Sequence, residues 1–218
     1  MAITVGFDLD MTLIDPRPGM IAVMKALSDE TGVALDGDYF AANLGPPLDQ
    51  GLRACGAPED RIDELVARYR ELYPDIVVPQ TIALPGAEAA LRAVHGVGGR
   101  TLIVTGKYGP NAALHVGALG FEVDVLVGEL WSTGKARALT EHGAVAYVGD
   151  HVGDVVGALA AGAVPIGVPT GPCTRDDLLD AGAAVVLASL ADFPDWLVTA
   201  VASLRAPGRS GSAVAPAG

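Results

Sequence analysis

This 218-residue chain is poor in aromatic residues, poorer still in cysteine, and short of basic side chains. Aromatics make up 5% of it while 50% is hydrophobic, so the core must be built from Ala, Val, Leu and Ile, as is usual in parallel α/β sheets. Lys and Arg number 14 against 26 Asp and Glu, a net charge of −12. That balance argues against a nucleic-acid polymer or an anionic membrane as partner, because both need basic patches. An anionic substrate would need local Lys, Arg or a metal ion to overcome the field. Cys55 and Cys173 have no CxxC neighbour, nothing points to secretion, and no disulfide between them is expected. There is no apolar run of the roughly 18 residues that a membrane span needs. Nor does a basic stretch and apolar segment precede the first strand, so a cytoplasmic protein is expected. The histidines (His95, His115, His142 and His151) show no HExxH or paired metal spacing. The first three fall in helix-like stretches and are expected at the surface, while His151 has no readable role. Gly96-Val97-Gly98-Gly99 lacks the GxGxxG spacing, since Thr101 takes the last glycine's place. Gly128 to Lys135 is no P-loop: five residues separate Gly128 from Gly134, and Ala136 stands where Ser or Thr should bind magnesium.

What the chain does have is an alternation of short β-branched runs with helical patterns. Strands are predicted at 3–8, 100–104, 124–127, 145–149, 164–168 and 184–187. Helices are predicted at about 85–96, 109–119, 134–142, 152–162, 174–182 and 190–205. Short Gly/Pro connections complete the pattern of an α/β fold, a Rossmann-like parallel sheet with helices on both faces. Ligands of such sheets bind at the carboxyl ends of the strands. Residues 15–83 break the alternation, with no convincing strand and helical stretches at 17–31 and 58–73, the latter carrying Ile62, Leu65, Val66, Tyr69, Leu72 and Tyr73 at helical spacing. Asn43-Leu44-Gly45-Pro46-Pro47 marks a loop between helices, and Leu84-Pro85-Gly86 the return to the sheet. The expected organisation is an α/β core of 1–14 and 84–205, an inserted all-helical cap of 15–83 that serves as a lid, and a disordered Ala/Pro/Gly/Ser tail of 206–218.

The chemistry-bearing residues all fall at predicted strand ends. Asp8 and Asp10 follow Ile3-Thr4-Val5, and two carboxylates at the tip of a buried strand are costly unless a cation or a task keeps them there. A carboxylate can attack phosphorus to give an aspartyl phosphate, and a second can protonate the leaving oxygen and later deprotonate water. Thr12 offers a hydroxyl close by. Thr105-Gly106-Lys107 ends Thr101-Leu102-Ile103-Val104, where a hydroxyl and exposed backbone N–H groups can cradle an anion, or where a plain helix cap with a Gly turn can sit. Lys135 can neutralise a phosphate and the charge on Asp8, or lie in solvent as most lysines do. Asp150 and Asp154 end Val145-Ala146-Tyr147-Val148-Gly149, four residues apart, and suit either Mg²⁺ or the first turn of a helix.

In this order, Asp-x-Asp-x-Thr, Thr-Gly, Lys and Gly-Asp-x-x-x-Asp resemble the motifs of the haloacid dehalogenase-like (HAD) superfamily, over about residues 3 to 200. Asp8-Leu9-Asp10-Met11-Thr12-Leu13-Ile14-Asp15, Leu44-Gly45-Pro46-Pro47-Leu48 and Leu84-Pro85-Gly86 are similar to segments of its phosphoglycolate phosphatase-like members with a helical cap. The resemblance implies that Asp8 is nucleophile and magnesium ligand. It makes Asp10 the general acid/base, with its backbone carbonyl on the metal. Thr105 and the Gly106 N–H would bind the phosphoryl group, Lys135 would orient Asp8 and offset phosphate charge, and Asp150 and Asp154 would hold the metal. Met11 stands where the family usually has Gly, Pro16 replaces a common Ser, and Thr105-Gly106-Lys107 replaces the commoner Ser-Asn-Lys.

The expected activity is a Mg²⁺-dependent phosphatase acting on a small phosphorylated metabolite of sugar phosphate, phosphoglycolate or nucleotide type, in a monomer or homodimer. Candidate substrate selectors in the cap are Arg17, Gly45, Pro46 and Arg53. A phosphomutase would need the same residues, and a non-catalytic phosphate-binding protein would need only some of them. A dehalogenase uses the first Asp without a second at +2, so Asp10 speaks against it.

Overall fold

The structure, a computed structural model, describes residues 2–206. Residues 207–218, nearly all of the tail expected to be disordered, lie outside the described residues. β1 (Thr4–Phe7) runs through a tight turn into β2 (Ile14–Asp15). Then come α1 (Arg17–Thr31), α2 (Gly37–Ala42), α3 (Leu48–Ala54) and α4 (Ile62–Ile76), and β3 (Ile82–Ala83) brings the chain back. The remainder alternates: α5 (Ala87–Gly96), β4 (Arg100–Val104), α6 (Gly109–Ala118), β5 (Val125–Val127), α7 (Lys135–Glu141), β6 (Ala144–Gly149), α8 (Val152–Ala160), β7 (Val164–Gly167), α9 (Arg175–Asp180), β8 (Val185–Val186) and α10 (Phe193–Leu204).

Six strands pair in parallel in the order β5-β4-β1-β6-β7-β8. The central strands are buried on both faces, which is why their sequences are unbroken apolar runs. Side-chain alternation divides β4 between two cores: Ile103 packs with Val5, Phe7, Leu91 and Leu197, whereas Leu102 and Val104 pack with Leu139, Tyr147 and Ala158 on the opposite side. Phe7 is in register with Ile103 on one side and Val148 on the other. The chain therefore leaves β1, β4 and β6 at nearly one level, and Asp8, Thr105 and Asp150 emerge side by side.

The helices between β2 and β3 enclose an apolar cluster of their own, with Met20, Val23, Met24 and Leu27 of α1 facing Ile62, Leu65, Tyr69 and Tyr73 of α4. The spacing of these residues is the helical periodicity visible in the sequence. The sequence shows no convincing strand between 15 and 83, yet Ile14–Asp15 pairs antiparallel with Ile82–Ala83. A two-residue ladder is too short to leave a period-two signature.

Candidate active site

Past Phe7 the chain stops pairing as a strand and turns. The N–H groups of Thr12, Leu13 and Ile14 all donate to the Leu9 carbonyl, and the turn is closed through Met11 at φ 59°. This is left-handed backbone that costs a side-chain-bearing residue about 1 kcal/mol or more. Met11 occupies it because its side chain is 2% exposed and belongs to the apolar cluster of the helices, where burying a Met contributes roughly 1.5–3 kcal/mol. Packing against the helices thus offsets the strain of a non-glycine residue here. The Met11 carbonyl also accepts from the Thr170 hydroxyl at 2.5 Å, which ties the turn to the loop after β7.

Lys135, at the start of α7, is 0% exposed and donates to Asp8 Oδ1 at 2.8 Å, Asp154 Oδ1 at 2.6 Å and the Tyr147 hydroxyl at 2.8 Å. Tyr147 passes its own proton to the Val104 carbonyl at 2.5 Å. All three ammonium protons are therefore satisfied inside the protein. Burial alone would lower the Lys135 pKa, but Asp154 and Asp8 beside it hold it well above the ordinary lysine value. Burial raises Asp8 despite Lys135, and burial together with Asp154 and Asp8 raises Asp150 well above the usual carboxylate range.

Asp8, Asp150 and Asp154 each place a carboxylate oxygen so that all lie within 4.8 Å of one another. Thr12 donates to Asp150 Oδ1 at 2.8 Å. Asp154 Oδ2 accepts the His151 N–H at 3.1 Å in a capping box on α8, and His151 Nδ1 accepts the Gly153 N–H at 2.9 Å. His151 is thereby the N-cap of α8, with its ring 4.9 Å from that of Trp131. The centre holds four carboxylates (Asp8, Asp10, Asp150 and Asp154) against two ammonium groups, Lys107 and Lys135. This surplus of two negative charges, carried on hard oxygens, fits a divalent cation.

Thr105 and Gly106 follow β4. Thr105 is 1% exposed and accepts the Lys107 N–H on its hydroxyl at 3.2 Å, so its own proton is left to donate. The Gly106 N–H has no acceptor among the described residues. The loop between α2 and α3 lies directly on this turn: a Cβ at Gly106 would come 2.8 Å from the Gly45 carbonyl, and a Cβ at Gly45 would come 2.7 Å from the Trp131 ring. The close approach accounts for Gly106 where the resembling proteins commonly carry Asn. A cavity of about 230 Å³ opens between the strand ends and the helices, lined by Asp8, Asp10, Thr105 and Gly106 from one side and by Gly45 and Pro46 from the other.

Asp10 is turned toward Lys107, whose Nζ lies 2.9 Å from Oδ2, and its Oδ1 has no partner among the described residues. Burial raises its pKa, against the pull of Lys107. Lys107 also donates to the Tyr73 hydroxyl at 2.5 Å, and that hydroxyl lies 2.6 Å from His115 Nε2. His115, expected at the surface, is instead 0% exposed, because α6 packs beneath Tyr73 of α4. Burial, with Lys107 nearby, pushes its pKa down to about 3. An unfolded chain takes up this proton near pH 6.5, so between about 6.5 and 3 the unfolded state binds more protons and stability falls as pH falls, by up to about 1.4 kcal/mol per pH unit. Acid unfolding of the wild type should therefore be steeper between about pH 6 and 4 than that of His115→Gln; matching slopes would rule out a buried neutral imidazole.

Of the sequence-predicted residues, Asp8, Asp10, Thr105, Gly106, Lys135, Asp150 and Asp154 come together at the strand ends, with Gly45 and Pro46 above them. Arg17 and Arg53 do not line the cavity. Arg17 pairs with Asp15 at 2.6 Å, and Arg53 with Asp49 at 2.5 Å and Glu59 at 2.8 Å, both at the surface. Tyr147, Tyr73 and His115 were not picked out. For Tyr147 the signal was a lone hydroxyl-bearing ring inside the apolar run Ala146-Tyr147-Val148.

A turn bearing two carboxylates after the first strand, a buried lysine bridging it to an acidic residue after β6, and a helical insert over the strand ends define the class. The haloacid dehalogenase-like hydrolase family matches residues 5–168, and the chain belongs to it. Among curated relatives, the phosphoglycolate phosphatase of Caulobacter vibrioides is 28% identical over 94% of this chain and 94% of its own length. The phosphoglycolate phosphatase of Rhodospirillum rubrum is 31% identical over 88% and 89%. A haloacid dehalogenase-like family hydrolase from Streptococcus pneumoniae superposes with a TM-score of 0.78 at 22% identity, over 90% of this chain and 98% of that one, which bears on the fold alone.

Proposed function

We propose that the protein is a Mg²⁺-dependent phosphatase of small phosphomonoesters that works through an aspartyl phosphate on Asp8, with residues 15–83 as its cap. The observation that carries this reading is the three-way bond of Lys135, which holds Asp8 and Asp154 in one buried cluster near an Asp10 oxygen that has no partner among the described residues. An Asp8 oxygen attacks phosphorus while the electron pair of the P–O bond moves to the leaving oxygen, which takes its proton from Asp10. The resulting Asp10 carboxylate then takes a proton from water, and the hydroxide attacks phosphorus and frees Asp8. The Thr105 hydroxyl and the Gly106 N–H hold the phosphoryl oxygens, and Lys135, its protons committed to Asp8, Asp154 and Tyr147, offsets the charge that develops on them. Asp8, Asp150, Asp154 and the Asp10 carbonyl would hold Mg²⁺, which when bound offsets charge on the transferring oxygens. The loop at Gly45 and Pro46 keeps water from the cavity while the cap is seated.

The test is phosphate release from a panel of phosphomonoesters with Mg²⁺ or EDTA. 2-Phosphoglycolate stands first on the panel, as two relatives bear the name phosphoglycolate phosphatase. Release that survives EDTA would contradict the metal requirement, and interconversion of sugar phosphates without net release would point to a mutase.

The acidic cluster makes one further demand. A Cβ at Gly171 would fall 1.7 Å from Asp150 Oδ2. Gly171→Ala is expected to displace that carboxylate and weaken Mg²⁺ binding about tenfold or more in a calorimetric titration. An unchanged affinity would take Asp150 out of the ligand set.

A further inference from the structure

The cap reaches the acid/base carboxylate through a buried chain of polar contacts. Asp10 Oδ2 meets Lys107 Nζ at 2.9 Å, Lys107 meets the Tyr73 hydroxyl at 2.5 Å, and the hydroxyl meets His115 Nε2 at 2.6 Å. The Lys107 side chain is 4% exposed, and Tyr73 and His115 are 1% and 0% exposed. Tyr73 belongs to α4 in the helical insert, and the other three residues belong to the core. The direction of the chain follows from donor chemistry. An ammonium only donates, so Lys107 donates to the Tyr73 oxygen, and the Tyr73 O–H donates to His115 Nε2 in the tautomer that carries its proton on Nδ1.

A lysine is a compact charge on a flexible four-carbon stem. Held by Asp10 alone, the Lys107 ammonium would be free to follow any phosphate bound at Thr105–Gly106, two residues and one residue upstream. The Tyr73 hydroxyl gives it a second anchor, and that anchor is itself fixed: the Tyr73 ring lies 5.6 Å from Tyr69 and 5.5 Å from His115. With Oδ2 of Asp10 occupied by Lys107, the oxygen left for a proton is Oδ1, the one with no protein partner.

We infer that Tyr73 is a positioning residue carried by the cap: it holds Lys107, and Lys107 fixes Asp10 with Oδ1 toward the leaving group, so that acid catalysis is assembled only with the cap seated. The inference rests on the phosphatase reading above. In the step it serves, the Oδ1–H bond breaks as the leaving oxygen gains that proton, the P–O electron pair goes to the same oxygen, and Lys107 holds the carboxylate left behind.

The leaving group provides the readout. An alkyl alkoxide needs a proton to depart, whereas p-nitrophenolate needs little help. Tyr73→Phe should lower kcat about tenfold or more on whichever of 2-phosphoglycolate and glycerol phosphate the wild type turns over faster, with KM within about twofold. On p-nitrophenyl phosphate its loss should be under about threefold. Lys107→Met should show the same split, and the double variant should be no worse than Lys107→Met alone. Equal losses on alkyl and aryl esters would overturn the inference, as would a raised KM at constant kcat or additive losses in the double variant. A wild type that releases phosphate from neither ester class removes the phosphatase reading, and the inference with it. Thermal melting of Tyr73→Phe checks that the variant is folded when the rates are compared.

Discussion

Replacing Asp8 with Asn should abolish phosphate release, a fall of about a thousandfold or more on every ester the wild type accepts. The amide is nearly the same size as the carboxylate and can still accept from Lys135, so the cluster keeps its shape while losing its nucleophile. The same substitution should leave the fold as stable or make it more stable. Asp8 is buried with its pKa raised, which means the native state holds that charge at a cost, and it crowds Asp154. A neutral amide relieves both. Phosphate release measured with Mg²⁺, and thermal melting measured in EDTA, give the two outcomes. Release that continues at the wild-type rate would end the aspartyl-phosphate mechanism, and a lowered melting temperature would mean that Lys135 needs Asp8 more than Asp8 strains the centre.

The opposite balance is expected at Lys135, where Lys135→Met should destabilise the protein by about 3–5 kcal/mol in urea unfolding at neutral pH, besides removing activity. The ammonium is fully buried and answers two carboxylates and a phenol at once. A methionine fills most of its volume but leaves Asp8 and Asp154 unpaired. Buried without its ammonium partner, the Asp8 carboxylate takes up a proton above its unfolded value, so in the variant the native form binds more protons than the unfolded form, and its stability falls as pH rises. The gap from wild type should therefore be wide near about pH 8 and narrow toward about pH 5. A gap of the same size across that range would show that the loss comes from packing instead of charge.

The parts of this molecule that were legible in sequence are those in which a polar residue stands one or two positions beyond a strand. Asp8, Thr105 and Asp150 each follow a run of apolar residues that can only be a doubly buried strand, and parallel register then sets them side by side. Lys135 and Asp154 needed only the adjoining helix starts. Contacts between the insert and the core were not legible, because they join residues far apart in sequence: Tyr73 to His115 and Lys107, and Gly45 to Trp131. His115 looked like a surface residue because a short helix with a weak apolar stripe does not reveal what covers it. Arg17 and Arg53 lie away from the cavity lining for a local reason. Asp15 stands two residues before Arg17, and Asp49 four before Arg53, close enough to claim each guanidinium at the surface. Charge complementarity with a near neighbour was the cheaper explanation.

The small ladder of Ile14–Asp15 with Ile82–Ala83 has a consequence for how such a molecule diversifies. The way into the helical insert and the way out of it lie on adjoining strands, about 4.8 Å apart. Beyond that pair of ends, the insert meets the core through Tyr73 on Lys107 and His115, Gly45 on Trp131, and its packing on Met11. A segment that starts and finishes at one strand spacing can be spliced there with the sheet register kept, as domain insertions succeed where chain ends are close, provided that it packs on Met11 as these helices do. The two-residue ladder fixes where the insert begins and ends, while Met11, Tyr73 and Gly45 set what any covering segment has to meet.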